Sequence, residues 1–192
     1  QFMPSSMLAH GRDFDGAGRI DLWSDDPADA LASAAAYLAH HGWQPGQPAL
    51  TLAHLPKGFD PAQTGKDHLR QLTDWRADGL LFDQTGAHQP AALLLPAGIN
   101  GPAFLWHDNA RCLLRYNAAD AYVLAVARLA DHLAGRTPPS LVWPAGDRAL
   151  TLAERITLQQ GLTAAGFDTG PADGRIGPNT VRALKAWQKA VG

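Results

Sequence analysis

The segment Arg136–Asp147, RTPPSLVWPAGD, holds three prolines, and this punctuation constrains the fold more than any other feature of the chain. Proline donates no backbone hydrogen bond and drives the residue before it out of helical conformation, so neither a helix nor a central strand can run through the segment. The chain is therefore expected to fold as two bodies, residues 1–135 and 148–192. Residues 136–147 are expected to form a linker between them that carries a docking Trp143. A length of 192 residues allows one ordinary domain and one small one.

The 46% hydrophobic content and 18% charge describe a folding chain, and Ala and Leu outweigh Val and Ile, so helix is expected to lead. Asp26 as cap, Pro27 at the first helical position and Asp29 reaching back to free amides predict a helix to about His41, with Gly42 as its left-handed stop. Its apolar face would be Leu31, Ala34, Ala35 and Leu38. A short helix is expected over 67–77 and a strand over 91–95. A second strong helix is expected after Tyr116, capped by the pair Asn117 and Asp120 and closed by Gly135. Tyr122, Val126, Leu129 and Leu133 form its stripe. The single Cys112 makes no intrachain disulfide and reads as a packed thiol.

Beyond the linker the pattern is helix, long glycine-rich turn, helix: 152–165, then GFDTGPADGRIGP, then 179–191. Pro178 at a helix start and Gly166 past a helix end obey the usual asymmetry. So small a unit has little core, and Phe167, Ile176 and Trp187 are expected to fill it. Gly170, Gly174 and Gly177 permit close turns, and Asp173 is expected to hydrogen-bond loop amides.

A formal net charge of −2 without a basic run excludes a nucleic-acid footprint. Six Lys/Arg against three acids give residues 148–192 a net +3, which leaves −5 for residues 1–147, so the smaller unit tolerates an anionic polymer. No apolar run reaches the length of a membrane span. The histidines include no HExxH, and His40 and His41 are expected on different helix faces, which argues against zinc.

Four blocks carry a resemblance. QFMPSS, GRDFDGAGRIDLW, DALASAAAYLAHHGW and LLRYNAADAYVLAVARLAD resemble, in order and spacing, the catalytic domain of the lytic murein transglycosylase B family. Together they cover residues 1–135, with 44–100 matching loosely. The closing LQQGLTAAGFDTGPADGRIGPNTVRALKAWQ is similar throughout to a three-helix peptidoglycan-binding module. The fold the resemblance implies is mainly α, the C-terminal part of a lysozyme-like catalytic domain followed by a small three-helix peptidoglycan-binding domain. The implied activity cleaves the MurNAc–GlcNAc bond of peptidoglycan in the periplasm. The partner is the glycan strand, the parent is a monomer, and no cofactor is required.

That reaction needs a carboxylic acid, its pKa raised by an apolar site, to protonate the departing sugar oxygen. In the family the substrate's own N-acetyl group assists and the MurNAc 6-hydroxyl closes onto C1, so one Glu suffices. The only glutamate, Glu154, lies in the second unit, where it reads as a solvent-facing residue of a helix's first turn. The family's catalytic Glu precedes the QFMPSS block, so this chain is expected to lack its proton donor and to be inactive alone. The substrate-binding residues implied by the resemblance are Gln1, Asn117 and Tyr122, an amide, an amide and a ring that suit sugar hydroxyls and N-acetyl groups. Asn117 read without the family is a helix cap, and Tyr122 a packing residue. The alternative function is that of a non-catalytic peptidoglycan-binding protein.

Asp13, Asp15, Gly18 and Asp21 occupy positions 1, 3, 6 and 9 of an EF-hand-like loop, and the resemblance implies a calcium site here. Ala17 and Ser24 break the pattern at positions 5 and 12 and leave Asp29 as the late carboxylate, so an acid-rich turn without an ion is the other reading. The expected ligands are Asp13, Asp15, Asp21 and Asp29.

Overall fold

The computed structural model describes residues 2–83, 89–136, 140–146 and 148–191. The chain divides into two compact units, residues 1–59 with 64–142, and residues 60–63 with 143–192. Among the described residues no helix is long and apolar enough to cross a membrane.

The first unit opens with α1 (Pro4–His10) and α2 (Ala28–His40). Ser5 and Ser6 lie inside α1, which begins on Pro4 and has no side-chain cap. The start of α2 differs from expectation. Pro27 is the cap residue, the Asp26 carboxylate accepts the Ala28 amide, and the buried stripe is Asp29, Ser33 and Tyr37 rather than Leu31 and its neighbours. Leu31 faces outward because this face of α2 packs polar backbone from the preceding loop, and only hydrogen-bonding side chains can satisfy it.

A five-stranded antiparallel sheet follows, ordered β2-β4-β5-β1-β3, from β1 (Leu50–His54), β2 (Leu69–Gln71), β3 (Leu81–Phe82), β4 (Pro90–Leu94) and β5 (Ala103–Trp106). The helix expected over 67–77 is strand β2 and then the shorter α3 (Leu72–Ala77). Alternate residues of the central strands serve opposite faces. Leu93 and Leu105 pack with Leu72 and Trp75 of α3, while Ala92 and Trp106 pack with Ala110, Leu113 and Val123. The Trp75 indole also donates to the Ala91 carbonyl at 2.9 Å. Both faces are covered, which is why these strands read as continuous Ala/Leu runs.

The last helices of this unit are α4 (Asp108–Tyr116) and α5 (Asp120–Leu133). Asn117 does not cap α5. It follows the last residue of α4, and its side-chain oxygen accepts the Ala119 amide at 3.0 Å, while Ala119 stands at the N-cap without side-chain help. The buried residue of α5 is Val123, and Leu129 and Leu133 are exposed, so the expected stripe is out of phase with the buried face. Cys112 lies buried in α4, its thiol 3.1 Å from the His41 carbonyl, and burial raises its pKa.

In the second unit, α6 (Leu152–Ala164) and α7 (Pro178–Val191) flank the glycine-rich turn. Thr151 and Glu154 form a capping box, and Arg148 pairs with Glu154. Ile176 and Trp187 are not buried but remain 44% and 37% exposed. The buried positions among the described residues are Leu162, Gly174 and Ala183 together with three polar residues, Gln159, Thr169 and Thr180. Gln159 supplies the organisation expected of apolar side chains. Its amide donates to the Arg175 carbonyl at 3.1 Å and to Thr180 Oγ1 at 3.2 Å, and its oxygen accepts the Gly174 amide at 2.7 Å. Asp173 binds the Arg175 amide at 2.8 Å, as a loop staple should, and that bond lowers its pKa. Trp143 remains 46% exposed.

Candidate functional site

The first unit contains a groove of about 380 Å³. One wall comes from α2, through Ala30, Ala34, Tyr37 and Leu38. A second comes from α4 and α5, through Leu113, Tyr116, Tyr122 and Val126, and the N-terminal segment and acid-rich loop add Phe2, Leu22 and Trp23. The aromatic rings are arranged rather than scattered. Tyr116 and Tyr122 stack at 5.8 Å between centroids, and Tyr37 meets Phe2 and Tyr116 edge-on, each at 5.9 Å. Flat apolar rings with polar tips suit the faces and hydroxyls of pyranose rings.

Of the expected binding residues, Tyr122 lines this groove, and burial raises its phenol pKa, so it stays a neutral donor. Asn117 is exposed, one residue beyond Tyr116. Gln1 lies outside the described residues. Residues 2, 22, 23, 37 and 116 were not singled out from the sequence. Phe2, Trp23, Tyr37 and Tyr116 offer only aromatic character as a signal and Leu22 only its apolarity, and only the folding of the loop onto α2 brings Trp23 and Tyr37 to one cavity.

Among the described residues no acid lines the groove. Glu154, held by Arg148 and by the Thr151 amide and hydroxyl, has its carboxyl pulled down to about 2 and is unsuited to donate a proton near neutral pH.

The loop between α1 and α2 is latched by two buried side chains on successive turns of α2. Asp29 accepts the Phe14 amide at 2.7 Å and the Asp21 amide at 2.9 Å, and Ser33 Oγ accepts the Arg12 amide at 2.9 Å. Asp29 does not reach back to the helix start. Its pKa is lowered, first by the Asp21 amide and then by that of Phe14. Asp13, Asp15 and Asp29 each present an oxygen within 4.8 Å of the others, a hard-oxygen set of the kind calcium takes. Asp21 is not part of it. Its carboxylate accepts the Trp23 amide at 3.1 Å and pairs with Arg19 at 3.0 Å.

His40 and His41 do not diverge as expected of helix faces. His41 follows the last residue of α2, and both rings turn toward His10, at 4.7 and 6.1 Å between centroids. The described residues present no zinc-type cluster in this arrangement. His107, deeply buried, contacts Thr51 Oγ1 at 3.0 Å through Nε2, and burial pulls its pKa down to about 4.

Residues 1–131 match the transglycosylase SLT domain family, and residues 151–192 match a peptidoglycan binding domain family. The chain is 38% identical over 141 residues to the membrane-bound lytic murein transglycosylase B of Escherichia coli strain K12, a match covering 70% of this chain and 37% of that protein. It superposes with a TM-score of 0.91 on SltB3 from Pseudomonas aeruginosa in complex with NAG-anhNAM-pentapeptide. That match is 41% identical and covers 100% of this chain and 52% of that one. Slt35 of Escherichia coli in complex with calcium matches at 35% identity with a TM-score of 0.58, over 70% of this chain and 42% of that one. The chain thus spans about half or less of the length of these relatives.

Proposed function

The chain belongs to the transglycosylase SLT domain family, and from that premise we propose that it is the glycan-holding part of a peptidoglycan lytic transglycosylase joined to a wall-binding tether. Residues 1–135 hold the strand, residues 136–147 link, and residues 148–192 bind the wall. The parent cleaves the MurNAc–GlcNAc bond in the periplasm as a monomer and leaves 1,6-anhydroMurNAc ends. The tether raises the local concentration of polymer at the groove.

The observation that carries this reading is the aromatic groove of Phe2, Trp23, Tyr37, Tyr116 and Tyr122. Sugar rings stack in it, and Tyr122, Asn117 and Gln1 hydrogen-bond hydroxyl and N-acetyl groups. The test is calorimetric titration of the chain with N-acetylglucosamine oligomers. Saturable binding that Tyr122→Ala weakens about tenfold supports the reading, and absence of binding by the folded chain removes it.

The calcium proposal rests on the donor set. Asp13, Asp15 and Asp29 would hold the ion, with backbone carbonyls and water completing its shell, and its role would be to fix the loop that carries Leu22 and Trp23. The Slt35 structure in complex with calcium supports the idea. Terbium luminescence or calorimetry checks it, and no heat at millimolar calcium ends it.

A further inference from the structure

We propose that His10, His40 and His41 form a pH-operated clasp that holds α1 on α2 at neutral pH and releases it in mild acid, opening one end of the groove. Helix α1 buries none of its residues, and its Leu8 is 90% exposed, so little apolar area fixes it. What it has at its C-terminal end is imidazole packing. The His10 ring lies 4.7 Å from that of His40 and 5.2 Å from Tyr37, and the His41 ring lies 5.1 Å from that of His40 and 4.4 Å from Tyr37.

Tyr37 relays the arrangement. It is buried with the imidazoles on one side, and it meets Phe2 and Tyr116 of the groove edge-on. Undocking α1 carries Phe2, just ahead of that helix, away from the groove wall.

The surrounding charges set the direction. The groups near the cluster are His10 of α1, Arg12 of the following loop, Tyr37 and His40 on α2, His41 at its end, and Cys112, Arg115 and Tyr116 on α4. The carboxylate of Asp108 on α4 acts on Cys112, whereas the charged groups acting on His41 are His40, Arg115 and His10. Burial, then His40, Arg115 and His10, lower the pKa of His41. A proton on His41 would sit partly desolvated against the His40 ring and near Arg115, so it is opposed there. Packing is therefore complete above the ordinary imidazole range near pH 6.5 and weakens as pH falls below it.

The loss of Phe2 from the sugar site rests on the groove reading above, whereas the clasp itself is measured without sugar. The whole chain is followed between pH 7.5 and 5.0, a window above the carboxylates, by amide-exchange protection of residues 7–10 of α1 relative to α5 and by affinity for chitotetraose. Protection of α1 is expected to fall about tenfold and affinity several-fold, and both changes should flatten in the His10→Gln/His40→Gln/His41→Gln variant. The single His40→Gln change, at an exposed position, should reduce them in part and guards against misfolding of the triple variant. Protection of α1 that is unchanged across the window, or that falls equally in wild type and variants, overturns the clasp. Failure of chitotetraose to bind at any pH would instead remove the groove reading and leave the exchange result to decide the clasp.

Discussion

Asp29, 4% exposed on α2, accepts the Phe14 amide at 2.7 Å while Phe14 itself is 73% exposed. The buried partner is the carboxylate and the exposed one is the aromatic ring, the reverse of what hydrophobicity alone assigns. The reason is that the loop needs acceptors for its amides more than it needs apolar cover.

Replacing Asp29 with Asn keeps the size but offers one oxygen where two amides need acceptors. The Trp23 segment should loosen, seen as a red shift and increased quenching of tryptophan emission, and calcium affinity should fall with it. Because the folded carboxyl titrates below its ordinary value, the latch is complete above about pH 4 and is lost only as pH falls further.

His107 gives the first unit a second pH response. Its folded pKa is lowered to about 4, so the unfolded chain takes up the proton first. Stability is full above about pH 6.5 and declines between there and about pH 4, by on the order of 2–3 kcal/mol. Urea titrations at pH 7 and pH 4.5 measure the slope, and His107→Gln should remove this component.

Trp75→Ala should cost the first unit about 3–5 kcal/mol, since it empties a fully buried site between α3 and the sheet and removes the indole's bond to the Ala91 carbonyl. Denaturation should show the loss in this unit's transition while the second unit's transition stays in place.

Gln159→Leu should destabilise the second unit by about 1–3 kcal/mol, because the Gly174 amide loses its buried acceptor. Gly174→Ala should act in the same direction through a collision with Leu152 at a positive φ of 73°. Pull-down on purified sacculi measures the loss of wall binding in both.

The chain of residues 1–192 should bind glycan without releasing 1,6-anhydro muropeptides. Its one glutamate is a capping-box residue held ionised by Arg148, and among the described residues no acid lines the groove. Glu154→Gln should alter only the stability of the second unit. Anhydro products from the pure chain, detected by mass spectrometry, would contradict this.

Much of the helix content and the acid-rich loop were legible in the sequence, because prolines, glycines and caps act over a few residues. The antiparallel sheet was legible only at β4. LTLAH and AFLW carry the Ala and Leu of helices, and they are strands because each pairs with its neighbours, AFLW being buried on both faces and LTLAH at Ala53. The buried faces of α2 and α5, and the core positions of the second unit, differ from expectation for a related reason. Polar Asp29, Ser33 and Thr180 are buried because backbone amides or side chains from elsewhere meet them there.

By itself, then, the sequence determined where the chain turns and stops, the presence of an acid-rich loop before α2, and the lack of any glutamate outside the second unit. Tertiary structure decided which rings share a cavity, which carboxylates meet, and that three imidazoles from two helix ends face one another. Turns are governed by the conformational limits of single residues, whereas a site is made by groups distant in sequence whose proximity depends on how every intervening element packs.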